Sequence, residues 1–494
     1  MTEPRTLADL IAGRDAGRDG YVRLAVDPLT WQALAAGCAA GTHDLGALWA
    51  DGEFMRMALG DSERRLRAVA SLKTEAGSYP SVARYHAPAL RLERAMRDLY
   101  GTKPIDLPDT RPWLDHGRWP GRETKQRYEF LPVEGEGLHQ IPVGPVHAGI
   151  IEPGHFRFTA NGETVVRLEQ RLGYVHKGVE SLFVGADIDH GARLIGRLSG
   201  DSTVAYAWAY TRAVEAALGW SVPLRAILLR GVMAELERMA HHISDVGAIC
   251  NDASVIAIHA RCALQREDVL ATSQACFGHR LMMDRIVPGG VTDDLSAEGI
   301  GRVRGLIGRL AAARAEIERV YNSMPSLQDR TVTTGIVSPA LARQYAAGGF
   351  VGRASGRAFD VRKNFPYEPY DQMAFDLCMR SAGDVDARLM VRLQEIGESV
   401  RIVGQLLDRL APGPIRNEPP PVREGEGAAL VEAFRGDAFV SVRLASDGRL
   451  ARVHARDPSW FQWPLLEAAI EGNIVADFPL CNKSFNCSYS GHDL

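Results

Sequence analysis

The sequence predicts an α+β fold in two parts: a small N-terminal α/β domain, then a larger, mainly helical domain with small peripheral β-sheets. Three observations carry this. Alternating runs such as YVRLAV (21–26), with a charged amphipathic helix over 83–100, occupy the first hundred residues. Five long stretches of helical periodicity follow, at 202–218, 224–250, 255–283, 296–323 and 384–410. Two hairpin signatures flank them: FRFTANGETVVRL (156–168), turning at Asn161-Gly162, and AFVSVRLASDGRLARVH (438–454), turning at Asp447-Gly448.

Boundaries follow from changes of pattern. Residues 1–20 are an N-terminal extension and 21–101 the first domain. From 102 to 137 the periodicity dissolves into a Pro/Trp-rich arm, KPIDLPDTRPWLDHGRWPGRETK and beyond. Residues 138–494 form the second domain. Trp113 and Trp119 in the arm are expected to pack over a neighbour, because an uncovered indole exposes much apolar surface.

A chain of 494 residues has room for two or more domains, and 46% hydrophobic with 24% charged residues is ordinary globular composition. A net charge of -4 excludes the global basic footprint of a nucleic-acid binder. No run of 18 apolar residues predicts a membrane span. Residues 1–20 lack the apolar segment of a signal peptide, which makes the cytoplasm the expected compartment. The seven cysteines show no Cys-x-x-Cys spacing. Most are expected to be small buried hydrophobes rather than disulfide partners.

Several polar groups have an ordinary structural reading. The run RLERAMRD (91–98) reads as a solvated helix face. Of His241 and His242, adjacent on a helix, only one is expected to face inward. Asp384 and Arg388 are spaced i,i+4, as in a stabilising salt bridge. His147, His155 and His176 are spaced 8 and 21 apart, which suits backbone-bonded histidines better than a ligand set.

The segments GPVHAGIIEPGHFRF (144–158), GYVHKGVESLF (173–183), LERMAHHISDVGAICND (236–252), VPGGVTDDL (287–295), DRTVTTGIV (329–337), ASGRAFDVRKNFPYEPYD (354–371) and GDVDARLMVRLQEIGESVRI (383–402) together resemble the large subunit of group-4 [NiFe] hydrogenases and complex I. They occur in family order over about 350 residues. YPSVARYHAPALRLERAMRDLYG (79–101) resembles the complex I subunit that docks beside the large one, which places helix 91–98 at a subunit interface. The fusion of the two, with EPGHF at 152–156, is similar to hydrogenase-4 and formate hydrogenlyase.

That resemblance implies two cysteine pairs holding a nickel–iron centre. Here the corresponding positions are Ser199, Ser202, Ser488 and Gly491, and a shift of register by one recovers only Cys487. A neutral hydroxyl is a poor substitute for a soft, bridging thiolate, so nickel–iron is not expected and no cofactor is assigned to this chain. The tyrosine that serves the quinone headgroup in complex I falls on Gly200, and Tyr206 is six residues further on. Glu152 matches a proton-passing glutamate and His147 the first histidine of a Gly-Pro-x-His motif; both are candidate catalytic residues. Asp360, Arg362, Asp384 and Arg388 match a charged proton path. The implied partners are an iron–sulfur small subunit carrying a [4Fe–4S] cluster, antiporter-like membrane subunits and other hydrophilic subunits, with no nucleic acid. The implied setting is the cytoplasmic side of the cell membrane, as a peripheral subunit. Two functions stay open. One is an oxidoreductase subunit passing electrons to a quinone or another acceptor. The other is a redox-inactive scaffold in an ion-translocating complex.

Overall fold

A computed structural model describes residues 6–117, 119, 128–147 and 151–494. Residues 118 and 120–127 of the arm lie outside the described residues, as do 148–150 of the GPVHAGIIEPGHF segment.

The described chain opens with α1 (Leu7–Ile11), inside the expected N-terminal extension, with a Thr6–Asp9 capping box. Then come β1 (Val22–Val26), α2 (Pro28–Ala40), β2 (Asp44–Asp51), β3 (Phe54–Asp61) and β4 (Leu66–Lys73), forming one sheet in the order β1-β4-β3-β2. β5 (Ser78–Pro80), α3 (Leu90–Tyr100) and β6 (Lys103–Ile105) complete the first domain; β5 and β6 pair in parallel, so strand pairing runs past Gly101. The predicted helix over 83–100 is shorter than expected. Its first residues form a turn and a 3-10 segment at Pro88, which lacks an amide to continue a ladder.

The second domain begins with the antiparallel sheet β7 (Leu138–Val143), β8 (His155–Asn161) and β9 (Thr164–Arg171), whose hairpin turns at Asn161-Gly162 as expected. Short helices α4 (Val179–Phe183) and α5 (Ile188–Ile195) lead into the bundle: α6 (Thr203–Leu218), α7 (Leu224–Asp252), α8 (Ile256–Phe277) and α9 (Ala297–Asn322). A ribbon, β10 (Ile286–Val287) with β11 (Gly290–Val291), joins α8 to α9. After α10 (Pro325–Thr331), α11 (Pro339–Gln344), α12 (Gly349–Ala354) and α13 (Val361–Asn364), the long α14 (Val385–Asp408) packs beside α7. The last sheet is β12 (Gly425–Ala433), β13 (Gly436–Leu444) and β14 (Leu450–Arg456); α15 (Ser459–Ile470), α16 (Phe478–Phe485) and α17 (Tyr489–Asp493) follow. Four of the five predicted long helices lie within two residues of their expected spans; the fifth, expected over 255–283, ends six residues early at Phe277, where Gly278 takes a left-handed cap. No helix among the described residues is long and apolar enough to cross a membrane.

Two apolar cores share the four-stranded sheet. One face (Ala47, Trp49, Ala58, Val69) joins α6 and β12–β14; the other (Leu24, Leu45, Leu48, Met57) joins α2, α3 and α15. This burial on both faces is why RLERAMRD is not solvated. Glu93 is fully buried, accepting from Ser81 Oγ (2.7 Å) and the amides of Val82 (2.9 Å) and Ala83 (3.0 Å). Arg91 pairs with Glu467 of α15 at 2.6 Å. Asp98 Oδ2 accepts from the amides of Trp113, Leu114 and Asp115 (2.6, 2.7 and 3.2 Å), pinning the arm. Trp113 is buried, its indole nitrogen donating to His492 Nε2 at 3.3 Å, and Trp119 lies against the His176 ring. The neighbour that the arm covers is therefore the chain's own second domain.

Candidate functional site

The two segments at which the resemblance implies metal ligands meet in the fold. Ser199 precedes α6 and Ser488 caps α17, accepting from the Gly491 amide at 2.9 Å; their hydroxyl oxygens are 2.8 Å apart. They line a cleft of about 690 Å³ together with Glu152, Asp201, Arg435, Asn486 and Cys487.

An ion pair lies beside them. Arg435, in the β12–β13 turn, grips Asp201 through both guanidinium nitrogens (2.7 and 2.5 Å). Asp201 also accepts from Ser199 Oγ (2.7 Å), and Arg435 reaches Ser202 Oγ (3.3 Å) and the Asn486 carbonyl (2.5 Å). Burial alone would raise the Asp201 carboxyl, but Arg435's charge and hydrogen bonds hold it well below the usual range. At the fourth ligand position, a Cβ placed on Gly491 would lie 2.5 Å from Asp457 Oδ2 and 2.9 Å from Ser488 Oγ, so no side chain fits there without displacing them. Asp457 is itself held by the Tyr206 hydroxyl and by the Ser459 amide at 2.8 Å. Burial pushes the Cys487 thiol well up, disfavouring the thiolate. Hydroxyls, a guanidinium and a protonated thiol do not fit a nickel–iron centre. Among the described residues, no group of three or more His, Cys, Asp or Glu could hold a metal ion.

Of the two catalytic candidates, Glu152 lines the cleft and His147 does not. Glu152 is exposed rather than buried beside an apolar strand; one carboxylate oxygen accepts from the Ser490 amide at 3.2 Å. His147 donates to the Gly154 carbonyl (2.8 Å) and stacks on Phe156. His155 contacts the Gly144 carbonyl (3.3 Å), and His176 the Asp493 carbonyl (2.7 Å), the backbone role expected of them.

The charged-path candidates divide into two groups. Asp360 and Arg362 belong to a buried network: Arg362 grips Asp360 (2.7 and 3.0 Å) and reaches Glu235 (3.0 Å). Arg353 joins Glu395 (2.7 Å) to Glu432 (2.8 Å), and His242 donates to Glu395 at 2.8 Å. Burial, then the neighbouring Asp360 charge, pushes Glu432 up to about 7. Asp384 and Arg388 form no ion pair with one another. Asp384 caps α14, accepting from the amides of Ala387 and Thr333 (2.8 Å each). Arg388 donates to the Gly383 and Gly335 carbonyls (2.6 and 2.9 Å) and to Ser484 Oγ (2.9 Å). The cap needs the aspartate where the salt bridge would have claimed it.

His241 and His242 are both buried, against expectation, because α7 is covered by α8, α14 and α16 together. His241 stacks on Phe434, and burial pulls it down to about 4. A line of contacts runs from the cleft toward the network. Asn486 donates to Asp245 (2.9 Å), Asp245 pairs with Arg392 (3.1 Å), and Arg392 precedes Glu395 by one helical turn on α14. Asp201, Asp245, Arg353, Arg435 and Glu432 were not singled out in the sequence. The pairs Arg353–Glu395, Arg353–Glu432, Asp201–Arg435 and Asp245–Asn486 join residues 42–241 apart, which no local spacing marks.

Residues 252–424 match the family of the respiratory-chain NADH dehydrogenase, 49 Kd subunit. The carbon monoxide-induced hydrogenase of Rhodospirillum rubrum is 33% identical over 70% of this chain and 97% of its own length. Formate hydrogenlyase subunit 5 of Escherichia coli is 31% identical over 84% of this chain and 77% of its own. An NADH-quinone oxidoreductase subunit of Desulfotalea psychrophila is 32% identical over 71% and 95%. Among solved structures, a chain of the membrane-bound sulfane sulfur reductase, an archaeal respiratory membrane complex, superposes with a TM-score of 0.69 at 26% identity, covering 74% of this chain and all of that one. The fold is that of a chain of a respiratory membrane complex. The chain belongs to the family of large subunits shared by complex I-like and hydrogenase-4-like complexes.

Proposed function

We propose that this chain is a subunit of a membrane-associated, complex I-like or hydrogenase-4-like oxidoreductase complex, and that it works without a nickel–iron centre. The observation that carries the reading is the Asp201–Arg435 ion pair beside the hydrogen-bonded Ser199 and Ser488 in a cleft of about 690 Å³. A volume of that order suits a small organic acceptor. An iron–sulfur small subunit with a [4Fe–4S] cluster would stand at the mouth, and electrons would pass to a quinone or another acceptor. Antiporter-like membrane subunits and other hydrophilic subunits would complete the assembly on the cytoplasmic face of the cell membrane. Glu152 offers a carboxylate at the mouth. Asp245, Arg392 and the Glu395–Arg353–Glu432 network supply titratable groups leading inward.

The test is to purify the complex through a tag on this chain. The expected result is a reducible partner cluster, nickel well below one atom per chain, and cluster reoxidation by a soluble quinone. Stoichiometric nickel would sink the metal-free reading. A complex without clusters and without quinone reduction would instead support a redox-inactive scaffold.

A further inference from the structure

A second cleft, of about 650 Å³, opens at the other end of α6, lined by Arg18, Arg67, Trp208, Arg212, Glu215 and Tyr367 among others. The sixteen residues of α6 span ~24 Å, so this cleft is well separated from the serine-lined one.

Its charge balance is unusual. Of the carboxylates along its wall, Asp19 pairs with Arg23 at 2.5 Å and Glu215 with Arg230 at 2.6 Å. Glu368 at the rim is exposed. Arg18, Arg67 and Arg212 are left with no carboxylate at ion-pair distance among the described residues. Arg212 and Arg67 are half-buried nonetheless. Arg212 lies over the Tyr367 ring (4.3 Å) and donates to the Leu430 carbonyl (3.1 Å). Arg67 lies over Tyr21 (4.8 Å) and Phe365 (5.5 Å). Burial and Arg67's like charge both pull Arg212 below its usual range.

The backbone makes room for these groups. Gly20 (φ +77°) and Gly219 (φ +68°) sit directly beneath Arg67 and Arg18; a Cβ on Gly219 would coincide with the Arg18 guanidinium. Cations withdrawn from water without a counter-ion are costly. A planar guanidinium presents five N–H donors matched to phosphate oxygens. The geometry points to a binding site for a small phosphate-bearing anion, held by Arg18, Arg67 and Arg212.

The test uses the purified full chain at low ionic strength, where such contacts are least screened. Titration calorimetry with pyrophosphate and with ATP, and co-sedimentation with phosphatidic-acid vesicles against phosphatidylcholine vesicles, separate the sources of phosphate. Binding of at least one phosphate probe is expected, weakened at least tenfold by Arg212→Gln and by Arg18→Gln. Arg18 is exposed, so Arg18→Gln leaves the fold intact. Arg302→Gln, on the exposed face of α9, should leave binding unchanged. Response to vesicles alone would identify a lipid headgroup as the source. Absence of binding to all three probes, or equal binding in Arg18→Gln and Arg212→Gln, would overturn the assignment.

Discussion

Ser199 and Ser488, 289 residues apart, share a hydrogen bond of 2.8 Å between their side-chain oxygens. Each hydroxyl makes a second hydrogen bond as well, Ser199 to Asp201 and Ser488 from the Gly491 amide, so Ser199→Ala removes two and should cost about 2 kcal/mol in chemical denaturation. The double variant Ser199→Cys/Ser488→Cys should form a disulfide on mild oxidation, since paired side chains at this separation need little adjustment to bridge. Non-reducing peptide mapping checks it; free thiols at both positions would show that the two segments do not face each other.

Arg435 is the cation that pairs with Asp201 in this cleft. Arg435→Met strands the Asp201 carboxylate. Asp201 retains some access to water, with 32% of its side chain exposed, so the expected loss is about 2 kcal/mol rather than the larger figure for a sealed pair. Arg435→Lys should recover less than half, because an ammonium cannot make the two-pronged contact. Melting temperatures of the two variants decide this.

Glu237 on α7 caps the start of α6, accepting from the amides of Val204 (2.7 Å) and Ala205 (3.1 Å), and burial pushes it up to about 8. Between about pH 4.5 and 8 the folded chain keeps a proton that the unfolded chain has released. Its contribution is complete below the lower value and is lost as pH rises through about 8, on the order of 5 kcal/mol. Glu237→Gln should flatten that decline. Unfolding curves at pH 5, 7 and 9 test it, and an unchanged slope would refute it.

Asp98 gathers three backbone amides of the arm. Asp98→Ala leaves them buried without an acceptor, a loss of about 2–4 kcal/mol. Limited proteolysis should then cut within 102–137 well before the bundle is attacked.

The long helices and both hairpins were legible because they depend on local periodicity and turn chemistry. The α14 cap illustrates the limit: Asp384 and Arg388 have salt-bridge spacing, yet the aspartate is committed to Ala387 and Thr333, the second a contact 51 residues away. The burial of Glu93, Asp98 and both histidines of α7 is likewise a consequence of docking that no helical wheel contains. At the cleft, Ser199 and Ser488 stand in the sequence, but neither their meeting nor the Asp201–Arg435 pair beside them could be read there, because the partners lie 289 and 234 residues apart.

The arm, α3 and α15 bind the small domain to the large one through Asp98, Arg91 and Trp113. Two modules joined in one polypeptide reach any assembly in a fixed one-to-one ratio, and they meet at an effective concentration that separate chains do not attain in a cell. Assembly of the surrounding complex therefore starts from a joint already closed, and an excess of either module cannot compete for its partner's place.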